Sequence, residues 1–122
     1  MSAFISQDDL YQFENLIYLP MVLKVFEKDK KQFEVGSFKF KGPYLQIVDA
    51  AIKIAQNELQ TAKTYAREHR LKLEQRKLDE FTTEYIFYYN GFRSPRRYMN
   101  LRLRNRTEEL IRVYLQQATV HE

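Results

Sequence analysis

The fold is decided by the reading of Asp79-Glu-Phe-Thr-Thr-Glu-Tyr-Ile-Phe-Tyr-Tyr-Asn-Gly-Phe92. Asp79 is a residue type that opens helices, because its carboxylate accepts from the free amides of a first turn. Behind it Phe81, Tyr85, Tyr88 and Phe92 recur on one face at helical spacing, with Ile86, Phe87 and Tyr89 on the other sides. Read this way the stretch is a third helix, apolar almost all round, and such helices sit centrally or in a subunit contact. Asn90-Gly91 then ends it with a left-handed C-terminal cap.

Upstream, Pro43 is placed as a first helical residue, where its missing donor costs nothing. Tyr44, Val48, Ala51/Ile52, Ala55, Leu59, Ala62, Tyr65/Ala66 and His69 keep the helical period, so the spacing predicts a second helix over about 43–70. The charged residues 71–78 read either as its frayed continuation or as a connection. Before it, Ser6 and Asp9 form a variant capping box, and apolar residues from Leu10 to Phe33 predict a first helix over about 7–34. Pro20 removes a donor inside that helix, which predicts a kink or restart near Leu19. In the connection 35–41, Phe38 and Phe40 alternate with Lys39 and Lys41, and they read better as two aromatic plugs closing the bundle end than as a strand.

Downstream, Ser94-Pro95 reads as a cap and first-turn proline opening a fourth helix. Met99, Leu103, Thr107, Leu110, Tyr114 and Ala118 share one of its faces. The expected architecture is therefore all-α: one domain over residues 1–122, an antiparallel four-helix bundle with helix 1 kinked near Pro20.

Composition agrees with a globular chain: 122 residues, 44% hydrophobic, and only 3 Gly and 3 Pro to interrupt it. The absence of Cys excludes disulfides and thiol chemistry and fits a reducing, cytoplasmic setting. No run reaches the roughly 18 apolar residues of a membrane span, so no membrane partner is expected.

The net charge of +4 is unevenly placed. Residues 1–92 carry 10 Lys and 3 Arg against 13 acidic residues, and residues 93–122 carry 7 Arg against 3 Glu. The excess is thus C-terminal and made of Arg, whose planar fork suits carboxylates and phosphates. Arg93, Arg96, Arg97, Arg102, Arg104 and Arg106 are the candidate contacts for an anion or a nucleic acid. On a helical wheel Arg97 and Arg104 flank one side of the apolar stripe, and Arg102 and Arg106 the other. That division fits the rim of a protein interface better than a DNA-reading face. Intramolecular partners are available too, in Asp79, Glu80 and Glu84, and in the four-apart pairs Arg104–Glu108 and Glu108–Arg112.

The aromatic run supplies a second surface. Tyr85, Phe87, Tyr88, Tyr89, Phe92 and Tyr98 form a candidate self-association face, or a stacking platform for single-stranded nucleic acid.

No catalytic or metal-ligating residue emerges. The two His stand in Glu68-His69 and His121-Glu122, adjacent pairs that cannot aim at one metal from a helix, and no zincin spacing is present. There is no nucleophile elbow and no glycine-rich phosphate loop. Paired carboxylates such as Asp8/Asp9 occupy first turns, where they serve the helix dipole. An enzyme and a cofactor are not expected.

The segments Tyr18-Leu-Pro-Met-Val-Leu-Lys-Val-Phe26, Phe38-Lys-Phe-Lys-Gly-Pro-Tyr44, Asn90-Gly-Phe92, Arg104-Asn-Arg106 and Glu108-Glu-Leu110 together resemble the YhjD-like group of short proteins from Bacillus and its relatives. The resemblance implies a small helical protein in a Gram-positive cytoplasm. It brings no activity with it, so no functional residue carries over.

The sequence thus leads to a non-enzymatic helical protein acting through protein–protein contact, as a homodimer or an adaptor. The alternative is a regulator binding nucleic acid or another polyanion through the Arg-rich start of helix 4.

Overall fold

Residues 79–92 are not a helix. In the computed structural model, which describes residues 4–120, Thr82–Tyr89 and Phe92–Met99 are the two arms of a β-hairpin. The elements in order are α1 (Gln7–Val35), α2 (Lys41–Glu68), β1 (Lys72–Lys77), β2 (Thr82–Tyr89), β3 (Phe92–Met99) and α3 (Asn100–Val120). The expected all-α four-helix bundle is therefore corrected to an α+β fold, with three helices and a three-stranded antiparallel sheet ordered β1-β2-β3.

The physical reason lies in the turn. Asn90 and Gly91 both have positive φ, at 51° and 79°, and only two residues separate the paired Tyr89 and Phe92. That is a two-residue turn whose twist matches the twist of the strands it joins, and Asn-Gly is its strongest sequence signal. The same dipeptide also caps helices, which is how the helical reading arose. Thr and Tyr are strand formers, and in β2 the period-two side is Thr83, Tyr85, Phe87 and Tyr89, all buried. Asp79 keeps its capping chemistry but applies it to a turn: its carboxylate accepts from the amides of Phe81 and Thr82, each at 2.8 Å. Residues 71–78, open in the sequence, contain β1.

β3 replaces the expected start of the last helix. Ser94 and Pro95 cap nothing; they lie in an edge strand, and α3 begins at Asn100. Pro95 faces Ile86 at a position where its nitrogen points off the sheet's open edge, so no ladder bond is lost.

The helical expectations for the first half hold closely. Ser6 accepts from the amide of Asp9 at 3.1 Å and opens α1. α1 runs on through Pro20 as one helix rather than restarting, with Tyr18, Leu19 and Val22 buried around it. After α2 the chain turns at Arg70, with φ 56°, while the Leu71 amide reaches back to the Ala66 carbonyl at 2.8 Å. This six-residue closure is a Schellman ending, and it delivers the chain into β1.

α1 and α3 pack on one face of the sheet, and α2 packs on those two helices. Phe13, Ile17 and Tyr18 of α1 and Leu103 of α3 join Tyr85, Phe87, Tyr89 and Tyr98 in one cluster. A second cluster, Leu19, Val22 and Phe26 with Ala51, Ala55, Tyr114 and Ala118, lies where the helices meet, its alanines allowing α2 to approach closely. Tyr65 on α2 donates to Asp9 on α1 at 2.6 Å, and Tyr114 on α3 donates to Glu58 on α2 at 2.5 Å. The opposite sheet face is covered by no helix. Across it run the register rows Lys72-Tyr88-Arg93, Glu74-Ile86-Pro95 and Arg76-Glu84-Arg97.

Phe38 and Phe40 do not plug a bundle end. They stand exposed in the turn between α1 and α2.

Candidate functional site

The structure keeps the separation of Arg102 and Arg106 from Arg104 that the helical wheel gave, but moves the other three arginines off the helix. Arg93, Arg96 and Arg97 are on β3, not on a helix start. Strand alternation sends Arg93 and Arg97 to the open sheet face and Arg96 to the rim of the helix-covered face. Arg102 and Arg106, four apart on α3, share one flank of that helix, and Arg104 lies on the other.

Arg97, Arg102 and Arg106 line a groove between α1, the end of β3 and α3, and Arg96 lines an adjoining pocket that shares Glu14, Arg97 and Arg102 with it. The groove measures about 600 Å³ and is lined by Glu14, Tyr18, Arg97, Met99, Leu101, Arg102, Asn105, Arg106 and Glu109. The adjoining pocket adds Leu10, Arg96 and Tyr98. The guanidiniums are steered by aromatic rings: Arg96 lies 4.8 Å from the Phe87 centroid and Arg102 5.8 Å from that of Tyr98. Arg106 is held by Glu109 at 2.9 Å. Glu14 forms no hydrogen bond or ion pair among the described residues. Burial pushes the hydroxyls of Tyr18 and Tyr98 up, and nearby Glu14 adds to both shifts; for Tyr98 the result is about 12. At neutral pH both hydroxyls are protonated donors rather than bases. The chemistry on offer is recognition of carboxylates or phosphates by guanidinium forks beside exposed Met99 and Leu101.

Sequence reasoning named the arginines but missed Glu14, Tyr18, Asn105 and Glu109. The only available signal was the four-apart spacing of Glu14 and Tyr18, which many solvated helix faces share.

On the open sheet face Glu84, only 7% exposed, accepts from Arg76 at 2.8 Å and lies 4.0 Å from Arg97. The internal partner foreseen for the arginines thus exists, within a sheet. Glu108 lies 3.7 Å from Arg112. Arg104 borders a separate, more apolar groove of about 630 Å³ with Met21, Val25, Leu103, Thr107 and Ile111.

Of the candidate self-association residues, Tyr85, Phe87, Tyr89 and Tyr98 are buried inside the protomer. Tyr88 and Phe92 are half-buried and are what the set leaves at the surface. Tyr88 donates to Glu74 at 3.1 Å beneath the Lys72 ammonium. His69 ends α2 stacked on Tyr65, with ring centroids 3.8 Å apart. His121-Glu122 lies outside the described residues. Among the described residues no group of three or more metal-ligating side chains is gathered in one place.

The comparisons with known proteins agree with the resemblance. The YhjD protein family model matches residues 4–119. The chain is similar to the uncharacterised protein YhjD of Bacillus subtilis (strain 168), 32% identical over 110 residues that span 89% of this chain and 92% of that protein. No solved structure matches.

Proposed function

The chain belongs to the YhjD family, and we propose that it is a small, non-enzymatic, cytoplasmic binding protein that works through protein–protein contact without a cofactor. Its contact surface is the Arg-lined groove, which takes an acidic and partly apolar segment of a partner. The carrying observation is the convergence of Arg97, Arg102 and Arg106 on one groove that exposes Met99 and Leu101, with Arg96 in the pocket adjoining it. A guanidinium fork pairs with a carboxylate in two parallel bonds, and Arg is enriched at protein interfaces where Lys is depleted. The partner's carboxylates displace Glu14 and Glu109 as the anions facing the arginines, and its apolar side chains cover Met99 and Leu101. The aromatic homodimer face expected from sequence has lost most of its material to the core, so the groove carries the contact.

A second reading, nucleic acid or another polyanion, is supported by the open sheet face, where Lys72, Arg76, Arg93 and Arg97 stand against Glu74 and Glu84. Fluorescence anisotropy with two probes separates them: an acidic peptide containing aromatic residues and a single-stranded oligonucleotide of equal charge. The peptide should bind and lose about tenfold or more with Arg102→Gln plus Arg106→Gln, while keeping part of its affinity in high salt. Binding of the oligonucleotide alone, falling steeply with salt, would overturn the groove reading in favour of the second. Light scattering on a sizing column at low and high salt reports whether the chain pairs with itself.

A further inference from the structure

We propose that the turn between α1 and α2 is a docking tip for an anionic membrane surface. Val35, Phe38, Phe40 and Tyr44 are 85%, 51%, 65% and 54% exposed there, a concentration of apolar surface that neither hydrophobic cluster uses. The tip is built rather than slack. Phe33 packs on Phe38 at 4.9 Å and on Tyr44 at 6.1 Å. Gly36 leaves room for the Phe38 ring, since a Cβ there would stand 2.7 Å from it. Lys41 donates to the Glu34 carbonyl at 2.9 Å and Lys30 pairs with Asp49 at 2.8 Å, pinning the two helices together just behind the turn.

Around these apolar groups the charge is positive and made of Lys alone. Residues 24–44 hold 6 Lys against Glu27, Asp29 and Glu34, a local excess of +3 in a body that is neutral over residues 1–92. Lys24, Lys28 and Lys31 follow one another at helical spacing up an exposed stripe of α1 towards Val35. Lys39 continues it, its ammonium 5.6 Å from the Phe40 ring. Protein interfaces are depleted in Lys. Membrane-surface anchors combine Lys with Phe and Tyr, because the Lys stem lies along the acyl boundary while its ammonium reaches the headgroup phosphates. Composition therefore selects a lipid surface over a second protein.

No described helix is long and apolar enough to cross a membrane, and a docked tip needs none. The expectation of no membrane partner rested on the missing span alone. The tip lies roughly 25 Å along α1 from the groove residue Tyr18, so the two surfaces are independent and fail independently.

The test uses the full chain and vesicles of phosphatidylcholine with and without phosphatidylglycerol. The chain should sediment with the anionic vesicles and not with the neutral ones. Each of Lys28→Gln, Lys31→Gln and Lys39→Gln should weaken partitioning by about fivefold. Phe38→Ser with Phe40→Ser should abolish it, with circular dichroism unchanged. Because the chain has no Trp, Phe40→Trp supplies a single reporter whose emission should shift to the blue on anionic vesicles. Equal sedimentation with both vesicle types, none with either, or no emission shift would overturn the proposal. So would a dimer that dissociates on the Phe38/Phe40 change, since it would give the tip to a second copy.

Discussion

The rings of Phe13 and Phe87 stack face to face, 4.3 Å between centroids and 3° from parallel. This contact joins α1 to the central strand β2, and both side chains are fully buried. Phe87→Ala should cost about 3–5 kcal/mol, as lost transfer energy plus a cavity that close packing cannot refill. Urea unfolding reads this as a lower midpoint with an unchanged slope. A cost under about 1 kcal/mol would mean that the ring is not a core element.

The Asn90-Gly91 turn can be tested without touching any packing. A Cβ on Gly91 would meet nothing within 4 Å, so Gly91→Ala probes only the positive φ of 79°. The expected loss is about 1 kcal/mol. Gly42→Ala, also in open space but on a helix and without a positive φ, should be neutral or slightly stabilising. Equal effects at the two positions would remove the hairpin turn from the account.

Alkaline pH should loosen the fold through two of its tyrosines. The hydrogen bond to Asp9, with burial, pushes Tyr65 up to about 12, and burial holds Tyr98 at about 12, against an ordinary value of 10.0. The unfolded chain ionises first, so the stabilisation from these groups is complete below about pH 10 and is lost as pH rises towards 12. Urea midpoints across that window should fall, and Tyr65→Phe should fall less steeply. An identical slope in the variant would show that the Tyr65–Asp9 bond does not couple to folding.

Glu84 is the hinge of the open sheet face, a nearly buried carboxylate with Arg76 and Arg97 on either side in one register row. Glu84→Ala leaves two cations without their shared anion, yet both are exposed and can rehydrate. The expected cost is about 1–3 kcal/mol. It should shrink in molar salt, as thermal melts at two ionic strengths would show. A salt-independent loss would assign the effect to packing of the Glu84 stem alone.

Legibility in the sequence followed how far each signal reaches. The cap at Ser6 and the stripe from Val48 to Ala66 are local, repeat over many turns, and placed α1 and α2 within about two residues of their ends. Phe81, Tyr85, Tyr88 and Phe92 misled because a short aromatic run satisfies helical and strand spacing at once. Asp79, Asn90-Gly91 and Ser94-Pro95 misled further, since each is a helix-end signal that a strand turn or an edge strand uses equally well. The arbiter is the two-residue turn: Asn90-Gly91, both at positive φ, separates the paired Tyr89 and Phe92 and joins two strands. The arginines were visible, but their grouping into a groove depended on β3 and α3 meeting at Asn100, which is a tertiary fact.

Pro95 and the charges of β1 together restrict how copies of this protein can grow into larger assemblies. A three-stranded sheet has two open edges, and each is ordinarily a template for another chain. Here one edge has a missing donor at Pro95 between Arg93 and Arg97, and the other is Lys72-Leu-Glu-Gln-Arg-Lys77, with 4 of its 6 residues charged. Strand-by-strand polymerisation is thereby disfavoured in both directions, even with an aromatic strand, β2, at the centre of the sheet.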